Sequence, residues 1–224
     1  QFHYMGIKNR LIVMSFLQFF VWGAWLITIG NYWFGTKNWE GTQFGLVFGT
    51  MGIASLFMPT LTGIIADRWV NAEKLYGILH ILYAAVLFGI AHVTTPDNFI
   101  YVMLLAMCFY MPTIALSNSI SYTSLKLNNK NIVKDFPPIR VWGTIGFIAA
   151  MWITNLSGSK ATEYQFYIAG VGALILGIYA FTLPKCKPQR LTKEDASLVE
   201  TLGLEAFKLF GHYKMALFFV FSMF

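Results

Sequence analysis

The run Asp135-Phe136-Pro137-Pro138-Ile139-Arg140-Val141-Trp142-Gly143-Thr144-Ile145-Gly146-Phe147 marks the passage from a basic loop into an apolar helix that carries an arginine. Tandem prolines hold Phe136 and Pro137 away from the α-region and preset the backbone angle for a helix start. The expected helix therefore begins at or just after Pro138, with Arg140 in its first turn. Arg140, Thr144 and Phe147 then fall at i, i+4 and i+7, which lines a guanidinium, a hydroxyl and a phenyl ring along one stripe. Gly143 and Gly146 fall on another, where a neighbouring helix can come close. Two readings compete for Arg140. It reaches headgroups from a helix end, or it faces a polar cavity together with Thr144 and Phe147, and the shared register of the three supports the cavity.

The chain around this stretch is built for a bilayer. Hydrophobic residues make up 57% and charged residues 12%, with 21 Phe and a mean hydropathy of +0.59, outside the range of ordinary soluble domains. Six apolar stretches, at 11–34, 44–66, 75–93, 98–119, 139–156 and 164–183, approach the roughly 20 helical residues that cross a hydrocarbon core. An all-α integral membrane protein is expected. Residues 1–7 form an N-terminal tail whose first four residues precede Met5 and read as foreign to the natural start. Residues 8–184 form the six-helix bundle, 185–212 a linker, and 213–224 the beginning of a seventh span. Within the linker, Leu198, Leu202, Phe207 and Phe210 suggest an amphipathic surface helix.

Lysines and arginines alternate with the connections. Lys8 and Arg10 precede the first span, Arg68 and Lys74 follow the second, Lys126, Lys130 and Lys134 follow the fourth, and a further group follows the sixth. Only Lys37 and Lys160 fall in the other loops. The positive-inside rule then places the N-terminus and the linker in the cytoplasm. The net charge of +6 is a topology signal in this setting, and nucleic acid is not an expected partner. Cys108 lies inside a span and Cys186 in the cytoplasmic segment, which gives no support to a disulfide between them.

Polar residues inside the spans mark candidate walls. Gln18, Trp22 and Trp25 sit at i, i+4 and i+7 of the first span, and a lipid-facing Gln18 amide would lack partners. Either it bonds another helix, or Gln18 and Trp22 line a cavity for a planar polar solute. Tyr110, Thr113 and Ser117 suggest a third wall near Pro112, which frees backbone groups that nearby hydroxyls can satisfy. Span two, rich in Gly45, Gly49 and Gly52, is expected to pack closely. His80 reads as a packed histidine.

At its cytoplasmic end this span runs into Gly63-Ile64-Ile65-Ala66-Asp67-Arg68-Trp69, and this Gly-x-x-x-Asp-Arg run in the second connection resembles the signature loop of the major facilitator superfamily. Gly63, Asp67 and Arg68 are suited to conformational gating, with paired charges beside a close backbone approach. The runs Ser15-Phe16-Leu17-Gln18-Phe19, Asp135 to Phe147, Val93-Thr94-Thr95-Pro96, Tyr110-Met111-Pro112-Thr113 and Phe221-Ser222-Met223 resemble the bacterial nucleoside:proton symporters of that superfamily, with similarity over residues 8–224. The resemblance implies the N-terminal six-helix half of a permease in the bacterial inner membrane, made of two inverted three-helix repeats, with the C-terminal half missing. It implies a nucleoside as substrate, with Arg140, Thr144 and Phe147 as binding residues, and a proton as coupling ion with no other cofactor.

The acidic residues all lie in loops, at span ends or in the linker. The coupling carboxylate is therefore expected outside this chain. No metal-ligand cluster or set of nucleophile, base and orienter is apparent, so enzymatic catalysis is not expected. A facilitator for another polar solute such as a sugar, and a non-transporting membrane scaffold or receptor, are the alternatives.

Overall fold

The computed structural model describes residues 6–188, 211 and 213–217, and divides into two units, 1–188 and 189–224. In the second unit 213–217 form one helical turn. The expected amphipathic linker helix, and residues 218–224 of the expected seventh span, lie outside the described residues.

The first unit holds six α-helices: α1 (Ile7–Gly23), α2 (Gly41–Arg68), α3 (Ala72–Ile90), α4 (Pro96–Leu127), α5 (Ile132–Leu156) and α6 (Tyr164–Ala180). By length and composition α2, α3, α4 and α5 can each cross a membrane, while α6 is apolar and shorter. Residues 185–188, expected in the linker, cluster with the bundle.

Two helices depart from expectation, one because of a local cap and the other because of contacts with distant helices. α5 starts at Ile132 and contains both prolines, so Arg140 lies about two turns in. A side-chain cap decides the start. Asn131 accepts a hydrogen bond from the Lys134 amide (3.1 Å), and Asp135 accepts one from the Asn131 amide (3.0 Å). The amides that Pro137 and Pro138 lack would have bonded the carbonyls of Val133 and Lys134, residues exposed enough for water to replace them. The first span, expected to run unbroken over 11–34, leaves α-geometry after Gly23, passes through turns at 24–28 and ends in a π-helix, Asn31–Thr36. Side chains hold the break open: Thr154 Oγ1 donates to the Ala24 carbonyl (2.9 Å), and Thr28 Oγ1 bonds Gln165 Oε1 (2.9 Å). Irregular backbone at membrane depth survives where protein satisfies it in this way.

The extensively packed pairs are α1 with α5, α2 with α4, and α3 with α6. Exchanging α1 for α4, α2 for α5 and α3 for α6 returns the same three pairs, the signature of two related three-helix repeats. Small residues set the closest crossings. A Cβ on Gly146 would collide with the Phe16 carbonyl of α1, and one on Gly77 of α3 would stand 2.9 Å from the Gly177 carbonyl of α6. The stripe of Gly143 and Gly146 thus receives the neighbour expected of it.

The glycine face of α2 does not: a Cβ on Gly45, Gly49, Gly52 or Gly63 would meet nothing within 4 Å. α2 packs on α4 through Val47, Thr50 and Ala54, which lie on another face. In their apolar windows only 17% of α2 and 22% of α5 is buried, against 56% of α3 and 50% of α4. Two apolar helices so little covered by their own bundle need lipid or a further bundle against them.

Candidate functional site

The α5 crossing onto α1 turns the expected stripe away from the packed glycines. Arg140 is half-buried, Thr144 is exposed and Phe147 is half-buried. The Arg140 guanidinium lies 3.9 Å from the centroid of the Phe19 ring, a cation–π contact worth about 0.5–2 kcal/mol depending on desolvation. It has no hydrogen-bonded or carboxylate partner among the described residues. Its five donors therefore remain available to a ligand.

Two turns along, the Phe147 ring meets Trp22 edge to face at 6.3 Å, and Trp22 in turn lies 5.7 Å from Tyr110. These contacts gather Arg140, Phe147 and Trp22 from the expected set into one surface. Thr144 lies on the same face of α5, between Arg140 and Phe147 in register. Among the described residues the buried indole nitrogen of Trp22 has no hydrogen-bond partner, a cost of about 1–3 kcal/mol unless the site supplies an acceptor.

Gln18 sits behind that surface and has no exposed area. Its Nε2 donates to Thr113 Oγ1 (2.9 Å), its Oε1 accepts from the Tyr76 hydroxyl (2.6 Å), and its backbone carbonyl accepts from the Tyr110 hydroxyl (2.7 Å). Of the two readings open for Gln18, the structure shows the interhelical bond, here joining α1 to α3 and α4. Trp25 is likewise internal, its indole donating to the Tyr83 hydroxyl (2.9 Å). The third wall is not formed. Tyr110 and Thr113 are fully buried, Ser117 nearly so, and the last two hydroxyls return to their own helix at the carbonyls of Tyr110 and Ile114. Pro112 leaves the helical assignment of α4 unbroken, and His80 is packed, with Nδ1 3.0 Å from the Tyr76 carbonyl.

Phe19 escaped the sequence reading. It neighbours Gln18 in the chain and so points to a different face of α1, and only the angle at which α5 crosses puts it under Arg140.

At the α2 end Asp67 and Arg68 are exposed, and the close approach expected at Gly63 is not made within this bundle. The adjoining end of α3 holds an unexpected lock. Glu73, 2% exposed, accepts from the Asn71 side chain (3.0 Å) and from the Cys186 amide (2.9 Å), while the Ala72 amide donates to the Cys186 carbonyl (3.1 Å). Burial pushes the Cys186 thiol up to about 11, with the Glu73 carboxylate adding to the shift. Across the same end Lys8 pairs with Asp135 at 2.5 Å and holds that carboxyl below its ordinary range. Among the described residues no group of three His, Cys, Asp or Glu side chains could hold a metal.

Six helices in two three-helix repeats, with a cationic and aromatic surface on one repeat-crossing helix, define the N-terminal half of a major facilitator superfamily transporter. A family model described as Nucleoside H+ symporter matches residues 5–224, and the chain belongs to that family. It is 48% identical to the xanthosine permease of Escherichia coli (strain K12), an alignment covering 98% of this chain and 52% of the permease. It is 46% identical to nucleoside permease NupG of the same organism, with the same coverage. The crystal structure of nucleoside transporter NupG superposes with a TM-score of 0.82 at 46% identity, over 98% of this chain and 54% of NupG. That of a NupG mutant gives 0.87 at 45%, over 97% and 54%. The chain spans about half the length of the curated relatives it matches.

Proposed function

We propose that this chain forms the N-terminal half of a permease that carries nucleosides across the bacterial inner membrane by proton symport, working by alternating access. One observation supports this reading above the rest: Arg140, Thr144 and Phe147 share a face that the α1 packing leaves open, and the guanidinium is held on Phe19 with its donors unspent. Such a surface suits a nucleoside. The guanidinium and hydroxyl bond base or ribose oxygens, the Phe147 ring stacks on the base for about 1–3 kcal/mol, and the Trp22 indole supplies one more donor. Gln18 acts from behind, holding Tyr110 against Trp22.

The charge distribution supports a cytoplasmic N-terminus and linker, with the lysine-poor loops outside. A second six-helix half would cover α2 and α5 and carry the proton-coupling carboxylate, since Glu73 is already committed at the end of α3. Gly63, Asp67 and Arg68 would latch that half in one conformation and release it in the other. No cofactor beyond the proton and no catalytic step is involved.

The test is uptake of labelled uridine by the complete permease. Arg140→Ala and Thr144→Ala should each reduce uptake at least fivefold at normal expression, and excess unlabelled nucleosides should compete where sugars do not. Unchanged uptake in both variants would remove these residues from the site, and competition by sugars would reassign the substrate.

A further inference from the structure

The α5 stripe does not end at Phe147. Met151 and Asn155 continue it toward the outer end and meet α1 where that chain has left α-geometry. There a cavity of about 380 Å³ is lined by Thr28, Asn31, Met151, Trp152, Asn155 and Lys160, among others. An adjoining cavity of about 570 Å³ shares Asn31 and Lys160.

The lining has the chemistry of a ligand site. Thr28 is fixed in place by its bond to Gln165. The side-chain amides of Asn31 and Asn155 and the Lys160 ammonium have no hydrogen-bonded or ionic partner among the described residues. Each amide offers both donor and acceptor, matching a base edge or a ribose hydroxyl, while the ammonium only donates. Trp152 lines the cavity and is 65% exposed, so its ring is accessible for stacking. The cavity's volume falls in the range of small-molecule sites. Interfacial anchoring would account for a tryptophan or lysine at this depth, but it gives no reason for two uncommitted amides to converge on one hollow.

The two places are distinct. Fifteen helical residues separate Arg140 from Asn155, about 22 Å at 1.5 Å per residue, so one nucleoside cannot touch both. We propose that this outer cavity is a second nucleoside site, which Asn31, Asn155 and Lys160 use to hold a solute arriving from outside before it passes down the stripe to Arg140, Thr144 and Phe147. The proposal rests on the transport function above and adds an asymmetry to it.

Sidedness is the measurement. In the complete permease, in membrane vesicles of both orientations, Asn31→Ala/Asn155→Ala should raise KM for uridine entering from the outer side about fivefold, with Vmax within twofold. KM from the cytoplasmic side should stay unchanged, whereas Arg140→Ala should impair both directions. Asn155→Cys in a Cys108→Ala background gives a second readout. Uridine should slow its alkylation by a membrane-impermeant maleimide, and should still do so when Arg140→Ala is added. Equal KM values from the two sides, or protection that disappears with Arg140→Ala, would overturn the outer site while leaving the central one standing. Full activity of Arg140→Ala and Thr144→Ala would instead remove the central reading, whatever Asn155 does.

Discussion

Replacing Gln18 with leucine tests whether this residue touches substrate or holds the bundle together. The substitution keeps the bulk and removes two side-chain hydrogen bonds, one from Tyr76 at 2.6 Å and one to Thr113 at 2.9 Å. Thr113 retains its bond to the Tyr110 carbonyl, but the fully buried Tyr76 hydroxyl is left without an acceptor. Side-chain bonds between membrane helices average about 0.6 kcal/mol each, which gives about 1 kcal/mol for the pair. An orphaned buried donor costs about 1–3 kcal/mol, so the loss should fall between about 1 and 3 kcal/mol. The assay is reversible unfolding of the purified complete permease in mixed micelles. Adding Tyr76→Phe removes the orphan and should recover part of the loss, a coupling that a double-mutant cycle isolates. Residual nucleoside affinity should fall only as far as Tyr110 and Trp22 shift. A Gln18→Leu protein as stable as the parent, yet unable to bind nucleoside, would refute this reasoning and return Gln18 to direct contact.

Gly146→Val drives a branched side chain into the Phe16 backbone, beyond the usual 1–3 kcal/mol of core overpacking; the monodisperse yield after solubilisation should collapse, and a normal yield would contradict the close crossing of α5 on α1. Cys186 should be nearly inert to maleimide at pH 8, since a thiol with a pKa of about 11 is then about one-thousandth thiolate. Glu73→Ala frees the Cys186 amide and should raise the labelling rate more than tenfold; an unchanged rate would mean that Glu73 does not hold this segment. The Lys8–Asp135 pair has a lowered folded carboxyl pKa, so its contribution is complete above the ordinary carboxylate value near 4 and lost as pH falls through the folded value. Melting of Lys8→Met against the parent should therefore differ at neutral pH and converge in acid, and a gap that widens on acidification would contradict the assignment.

The readable parts were those governed by local rules. The number of long helices followed from apolar run length, and the Arg140, Thr144 and Phe147 stripe from helical periodicity alone, which survived the misplaced start of α5 because register is counted from any residue in the helix. α5 starts upstream of the two prolines because the Asn131 and Asp135 cap outweighs the turn preference of the Pro-Pro pair. The same stripe already contained Asn155, yet its meaning depended on α1 breaking nearby, and that break answers to Thr154 and Gln165 from distant parts of the chain.

By itself the sequence determined that the chain is apolar enough for a bilayer, where its helices fall, and which face of α5 is polar, because length, charge and a 3.6-residue repeat are properties of single segments. Tertiary structure alone decided that Gln18 meets Tyr76 and Thr113, that Phe19 lies under Arg140, and that the glycines of α2 remain uncovered in this half. Periodicity names a face but not its neighbour; the neighbour is chosen by where backbones can come closest, as at Gly146 and at Gly77 with Gly177, and that is settled between helices.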